Sequence, residues 1–110
     1  MVRRMYRFVE TRVFTKHVVT LLSDAAYGAL QAALITDPLA GDLIKDSGGL
    51  RKIRWSGSGR GKSGGVRVIY YPRPHLDVIW MITIYAKNVA DAIPAKVRRE
   101  IAKELADDKG

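Results

Sequence analysis

Five side chains carry the chemistry that this sequence offers most plainly: Lys52, Arg54, Arg67, Tyr85 and Lys87. Four cations and a phenol can hold a phosphate by charge and by hydrogen bonds, and the guanidinium fork suits it in particular. Their spacing gives them a common side. Strand side chains alternate between faces. Over 50–55, Arg51, Ile53 and Trp55 share one face, while Lys52 and Arg54 share the other, about 6.5 Å apart along the strand. Over 66–71, Val66, Val68 and Tyr70 oppose Arg67, Ile69 and Tyr71. Over 78–86, Val78, Trp80, Ile82 and Ile84 form one row, and Ile79, Met81, Thr83 and Tyr85 the other, with Lys87 following in phase. Each segment thus has a more apolar row suited to covering helices and a row bearing basic or phenolic groups. Registered side by side, the five residues form one basic pocket on a concave sheet face.

The charge distribution points the same way. The chain has 110 residues and a formal net charge of +8, from 19 basic and 11 acidic side chains. Residues 1–49 and 88–110 are nearly balanced. Residues 50–87 carry Arg51, Lys52, Arg54, Arg60, Lys62, Arg67, Arg73 and Lys87 against Asp77 alone. A patch of that kind attracts polyanions through long-range fields and counterion release. Nucleic acid is the expected partner class, ahead of a basic surface kept for solubility.

Other chemistries fall away. The chain has no cysteine, which excludes a disulfide scaffold, an iron–sulfur cluster, a thiolate zinc site and a cysteine nucleophile. Two histidines make a multi-histidine metal site improbable, and the scattered carboxylates suggest neither an acid pair nor a magnesium site. No cofactor and no metal are expected. His17 lies among apolar residues and reads as a boundary histidine. His75 sits in a turn, with nothing to bring the two rings to one phosphate. Residues 56–63 (SGSGRGKS) nearly match a phosphate-cradling loop, but Ser56 stands where the pattern needs glycine. Gly64, Gly65 and a β-rich run follow where it needs a helix. The segment reads instead as a basic, Gly-rich hairpin tip. Trp55, Trp80, Tyr70 and Tyr71 could stack bases. Trp80 lies in the apolar row and is assigned to the core, and Trp55 is open to either role.

The elements that must position these residues follow from period and punctuation. Residues 3–10 form a first strand. Thr11 caps a helix bearing Val13, Phe14, Val18, Leu21 and Leu22, and Ser23 or Asp24 caps a second with Tyr27, Leu30 and Leu34 on one face, ending before Pro38. Residues 37–49 are turn-rich. Residues 50–55, 66–71 and 78–86 are three strands, joined by the glycine-rich segment and by the turn Pro72–Asp77, an antiparallel meander. Pro94 opens a last helix with Val97, Ile101 and Leu105. The order β-α-α-β-β-β-α is α+β, with helices on one sheet in a single domain spanning 1–110. No run is long enough to cross a membrane. No apolar segment follows Arg3, Arg4 and Arg7, so a cleaved signal is not expected and the cytoplasm is the expected location.

Residues 49–54 (GLRKIR), 64–71 (GGVRVIYY) and 82–88 (ITIYAKN) resemble the RelE/HigB toxins of bacterial type II toxin–antitoxin systems, closest to the HigB-like branch. The likeness runs from the first strand through the last helix. It implies a RelE-like fold with a helical hairpin on an antiparallel sheet. It also implies a ribosome-dependent endoribonuclease (an mRNA interferase) that cuts translated messages in the decoding site. The implied partners are a cognate antitoxin carrying a helix-turn-helix domain, the ribosome with its mRNA, and operator DNA through the antitoxin only. The family's basic pair falls on Lys52 and Arg54, its arginine on Arg67, and its tyrosine and lysine on Tyr85 and Lys87. Arg51, Arg60, Lys62 and Arg73 are expected to bind RNA around that catalytic set. Many relatives carry an acidic residue directly after the lysine–asparagine pair; here it is Val89, with Asp91 nearby. Where the RelE branch has a further catalytic tyrosine, this chain has Ile93, so Tyr85 supplies that role or none does.

The expected reaction uses the RNA's own 2′-hydroxyl, which attacks the adjacent phosphate and expels a 5′-oxygen. The protein must take a proton, neutralise developing charge and protonate the leaving group. Lys52 or Lys87 is the expected base, with Arg54 and Arg67 on the phosphate. Three rivals stand beside it: a gyrase-poisoning toxin of related fold, with the same size and partner but no need of the basic–phenolic cluster; a non-enzymatic module that keeps the basic patch and binds RNA or the ribosome; and, more weakly, a ribonuclease that acts without the ribosome.

Overall fold

Thr11 is the joint on which the fold turns. The computed structural model describes residues 5–56 and 65–86. In it, strand β1 (Arg7–Glu10) ends one residue before Thr11, and helix α1 (Arg12–Leu21) begins one residue after it. Thr11 Oγ1 accepts from Phe14 N–H, a helix cap, and donates to the carbonyl of Ile82 at 2.6 Å. Its own N–H donates to Met81 O. Ser23 caps helix α2 (Asp24–Thr36) in the same way, through Ala26 N–H, and Asp24 adds a negative charge to that first turn. The helix stops at Thr36, two residues before Pro38, as the sequence requires.

Among the described residues, five strands form one sheet in the order β1-β5-β4-β3-β2. The three long ones are β3 (Arg51–Trp55), β4 (Val66–Arg73) and β5 (Val78–Ala86), and they make the expected antiparallel meander. Two features go beyond expectation. Strand β1 pairs with β5 in parallel, so the sheet is mixed. A two-residue strand, β2 (Asp42–Leu43), pairs with β3 inside the stretch read as irregular. Strand β4 also runs two residues further than the sequence suggests, taking in Pro72 and Arg73. Proline is tolerated there because β3 ends opposite Tyr70, which frees the other edge of β4 from pairing. Among the described residues, α1 and α2 cover one face. Under them lie Phe14, Leu30, Leu34, Val68, Tyr70 and Met81, all without solvent exposure. The opposite face has a smaller buried set, Leu50, Ile69 and Ile82, flanked by Tyr71, Trp80 and Tyr85.

Strand β5 departs from the sequence reading in an instructive way. Its pairing with β4 slips between Ile69↔Thr83 and Tyr70↔Met81, which is a bulge at Ile82–Thr83. Simple alternation therefore fails. Ile79 and Met81 face the helices, but beyond the bulge it is Ile84 that does so. Trp80 and Ile82 stand with Tyr85 on the other face. The continuous row Val78–Trp80–Ile82–Ile84 does not exist, and Trp80 is not in the helix-covered core. The carbonyls of Met81 and Ile82, beside the bulge, both accept from Thr11.

Two phenols make the fold sensitive to base. Tyr27 donates to Glu10 Oε2 at 2.7 Å, and Thr15 Oγ1 donates to Glu10 Oε1, tying α1 and α2 to β1. Burial first, then the hydrogen bond and charge of Glu10, push the Tyr27 phenol well above its ordinary 10.0. Burial likewise raises Tyr70, against the opposing pull of the Gly41 N–H that it accepts. A raised phenol favours the folded state fully below its unfolded value, and the gain is lost as pH climbs from there through the folded value. Urea midpoints should therefore decline above pH 10, and Tyr27→Phe should flatten part of that decline. A variant profile as steep as the parent's would rule this origin out.

Candidate functional site

The period of β3 buries Ile53 and Trp55 towards the helices, where the indole N–H of Trp55 donates to Ala26 O at 2.9 Å. That anchoring settles the open question about Trp55 in favour of packing. It turns Lys52 and Arg54 to the uncovered face. In β4, Val66, Val68 and Tyr70 go inward, so Arg67, Ile69 and Tyr71 go outward. The strand register then aligns the site. Arg54 is the partner of Arg67, and Arg67 is the partner of Tyr85. One row of the sheet reads Arg54–Arg67–Tyr85, and the next reads Lys52–Ile69–Thr83. Directly opposed residues have Cβ atoms about 4.5–5.5 Å apart. A pocket of about 360 Å³ opens beside them, lined by Lys52, Arg54 and Arg67 with Asp42, Gly41 and Ala40 at the β2 edge.

Arg67 is the centre of this arrangement. It is 8% exposed, the single buried charged residue among those described. Its stem is held between two neighbouring strands, and a second guanidinium stands across from it. Like charges directly opposed destabilise a sheet, and an anion between them removes the cost.

The structure sorts the remaining residues singled out in the sequence. Arg51 lies on the helix-facing side, where its Nη1 donates to Leu39 O at 3.2 Å and to Gly41 O at 2.8 Å. It holds the 39–41 turn in place and is kept away from the basic row, so the expectation that it lines the RNA surface does not fit its position. Gly41 completes that corner: a Cβ there would lie 2.8 Å from Lys52 O and 2.9 Å from the Tyr70 ring. Arg73 is on the open face at the far end of β4, its guanidinium 5.4 Å from the centre of the Tyr71 ring. His17 is exposed on α1. His75 is exposed in the short 3-10 turn Pro74–Leu76, 3.4 Å from Arg73 Nη2. Arg60, Lys62, Lys87 and the expected final helix lie outside the described residues.

No protein-family model matches the chain. Solved structures do. The free-state structure of a double arginine-to-alanine mutant of Escherichia coli toxin RelE aligns with a TM-score of 0.57 over 92% of this chain and 98% of that one, at 16% identity. The chain has a RelE-like fold. The RelE–RelB complex from Pyrococcus horikoshii OT3 supports the same architecture, with a TM-score of 0.52, 19% identity, and coverage of 78% of this chain and 99% of that one. In this RelE-like fold the helical pair covers one side of the sheet, and Lys52, Arg54, Arg67 and Tyr85 share the other. Among the described residues no helix is long and apolar enough to cross a membrane.

Proposed function

We infer that this chain is the toxin of a toxin–antitoxin pair and cuts mRNA on the ribosome. The observation that carries the reading is the row Arg54–Arg67–Tyr85 beside Lys52, on the sheet face the helices leave open. The RelE-like fold and the three sequence motifs agree with it.

In the proposed reaction, Arg67 and Arg54 hold the non-bridging oxygens of the scissile phosphate and neutralise charge as it builds. Lys52 or Lys87 takes the proton of the 2′-hydroxyl, whose oxygen then attacks phosphorus. The bond to the 5′-oxygen breaks, leaving a cyclic phosphate on one fragment and a 5′-hydroxyl on the other once that oxygen gains a proton. Tyr85, next to Arg67, hydrogen-bonds at or stacks on the reacting nucleotide. The ribosome orders the message and fixes its geometry, which lowers the entropic barrier. A cognate antitoxin silences the toxin, and operator DNA is reached through that partner.

Controlled expression in bacteria, with primer-extension mapping of transcripts, tests this reading. Cuts confined to translated regions are the expected result. Intact messages together with inhibited supercoiling would support a gyrase poison instead. Intact messages with toxin bound to ribosomes would leave only a binding module.

A further inference from the structure

The sheet face turned away from α1 and α2 does not end at the row through Arg67. Arg67, Ile69, Tyr71 and Arg73 follow one another on the same side of β4, so Arg73 lies about 20 Å from Arg67 along the strand. There the parallel pairing of β1 matters. Arg7 is the partner of Val78, and Val78 is the partner of Arg73, which makes a second basic row, Arg7–Val78–Arg73. Beside it lies the row Val9–Trp80–Tyr71. Trp80 and Tyr71 are half-buried, and Arg73 sits against the Tyr71 ring. The open-face positions of β4 and β5 between the two basic rows include no carboxylate.

We propose that Arg7, Arg73, Tyr71 and Trp80 form a second, distal RNA site that anchors a single strand a few nucleotides from the phosphate held at Arg67. The proposal rests on the nuclease reading for its substrate class. Cations at both ends and aromatic rings between them match a single strand, whose phosphates take the charges while its bases stack on rings or on guanidinium planes. An acidic peptide would use the cations alone and leave the two ring faces without a role. The site depends on the bulge at Ile82–Thr83, because the bulge lets Trp80 and Tyr85 share a face despite their odd spacing.

The test uses the full chain carrying Arg67→Ala, so that the RNA stays intact, and a fluorescein-labelled short oligouridylate as probe. Adding Arg7→Ala with Arg73→Ala should weaken binding about tenfold at low salt. The slope of log affinity against log salt should fall by about 1.4, which is about 0.7 for each of two lost phosphate contacts. With Trp55→Phe as well, Trp80 is the sole tryptophan, and its fluorescence should be quenched as the oligouridylate binds. The quenching does not depend on the arginine variants folding well. Unchanged affinity and slope, or an unquenched Trp80 while the RNA binds, overturns the distal site and leaves the nuclease reading standing. If the Arg67→Ala chain binds no oligouridylate but does bind polyglutamate, the RNA assignment fails for the whole face.

Discussion

Arg67→Ala should cut the rate of message cleavage on programmed ribosomes by about 10²–10³-fold, the usual cost of removing one preorganised donor from developing negative charge. The size follows from position. Arg67 stands between Arg54 and Tyr85 in the register and is 8% exposed, so its guanidinium is held in a fixed place on the sheet. Arg67→Lys should recover only part of the loss, since an ammonium restores the charge but not the planar fork. The loss should appear in kcat, with a melting temperature measured on the same samples to show that the variant is folded. Undiminished cutting by folded Arg67→Ala removes the assignment.

Phe14→Ala should be the most damaging substitution for stability. Phe14 is fully buried, its ring tilted against Tyr27 with 5.7 Å between centroids, in the same cluster as Leu30, Leu34 and Val68. Truncating a buried phenylalanine costs about 3–5 kcal/mol. For a domain near this size that lowers the melting temperature by about 12–40 °C. Thermal melts of the two chains followed by circular dichroism make the comparison. A fall of only a few degrees would mean that α1 contributes little to the core. Loss of α1 would also free the sheet from Thr11 and so disturb the register on which the basic row depends.

Much of this architecture is legible in the sequence, and the exceptions have physical causes. Thr11 and Ser23 mark helix starts because their side chains accept from the N–H groups three residues further on, within the first turn, a local effect. The four described members of the basic set share a face because alternation holds through β3 and β4 and is restored after the bulge in β5. Trp80 lies on the opposite face from the one alternation predicts, because the bulge at Ile82–Thr83 adds one residue to the count and hydrophobic periodicity does not record it. The parallel docking of β1 and the two-residue β2 are likewise invisible locally. Both are fixed by contacts with residues distant in the chain, such as Thr11 with Ile82 and Asp42 with Lys52. Arg51 shows the limit of charge counting: a cation in the basic stretch is spent on two backbone carbonyls.

The hydrogen bond from Thr11 to Ile82 spans 71 positions in the chain. As residues are added at the ribosome, β1 has no seat until β5 has been made, and the central row lacks Tyr85 until the same moment. Long-range pairings of this kind form late in folding. A growing chain therefore cannot complete the Arg54–Arg67–Tyr85 row, or seat β1, before the last strand of the sheet has been synthesised.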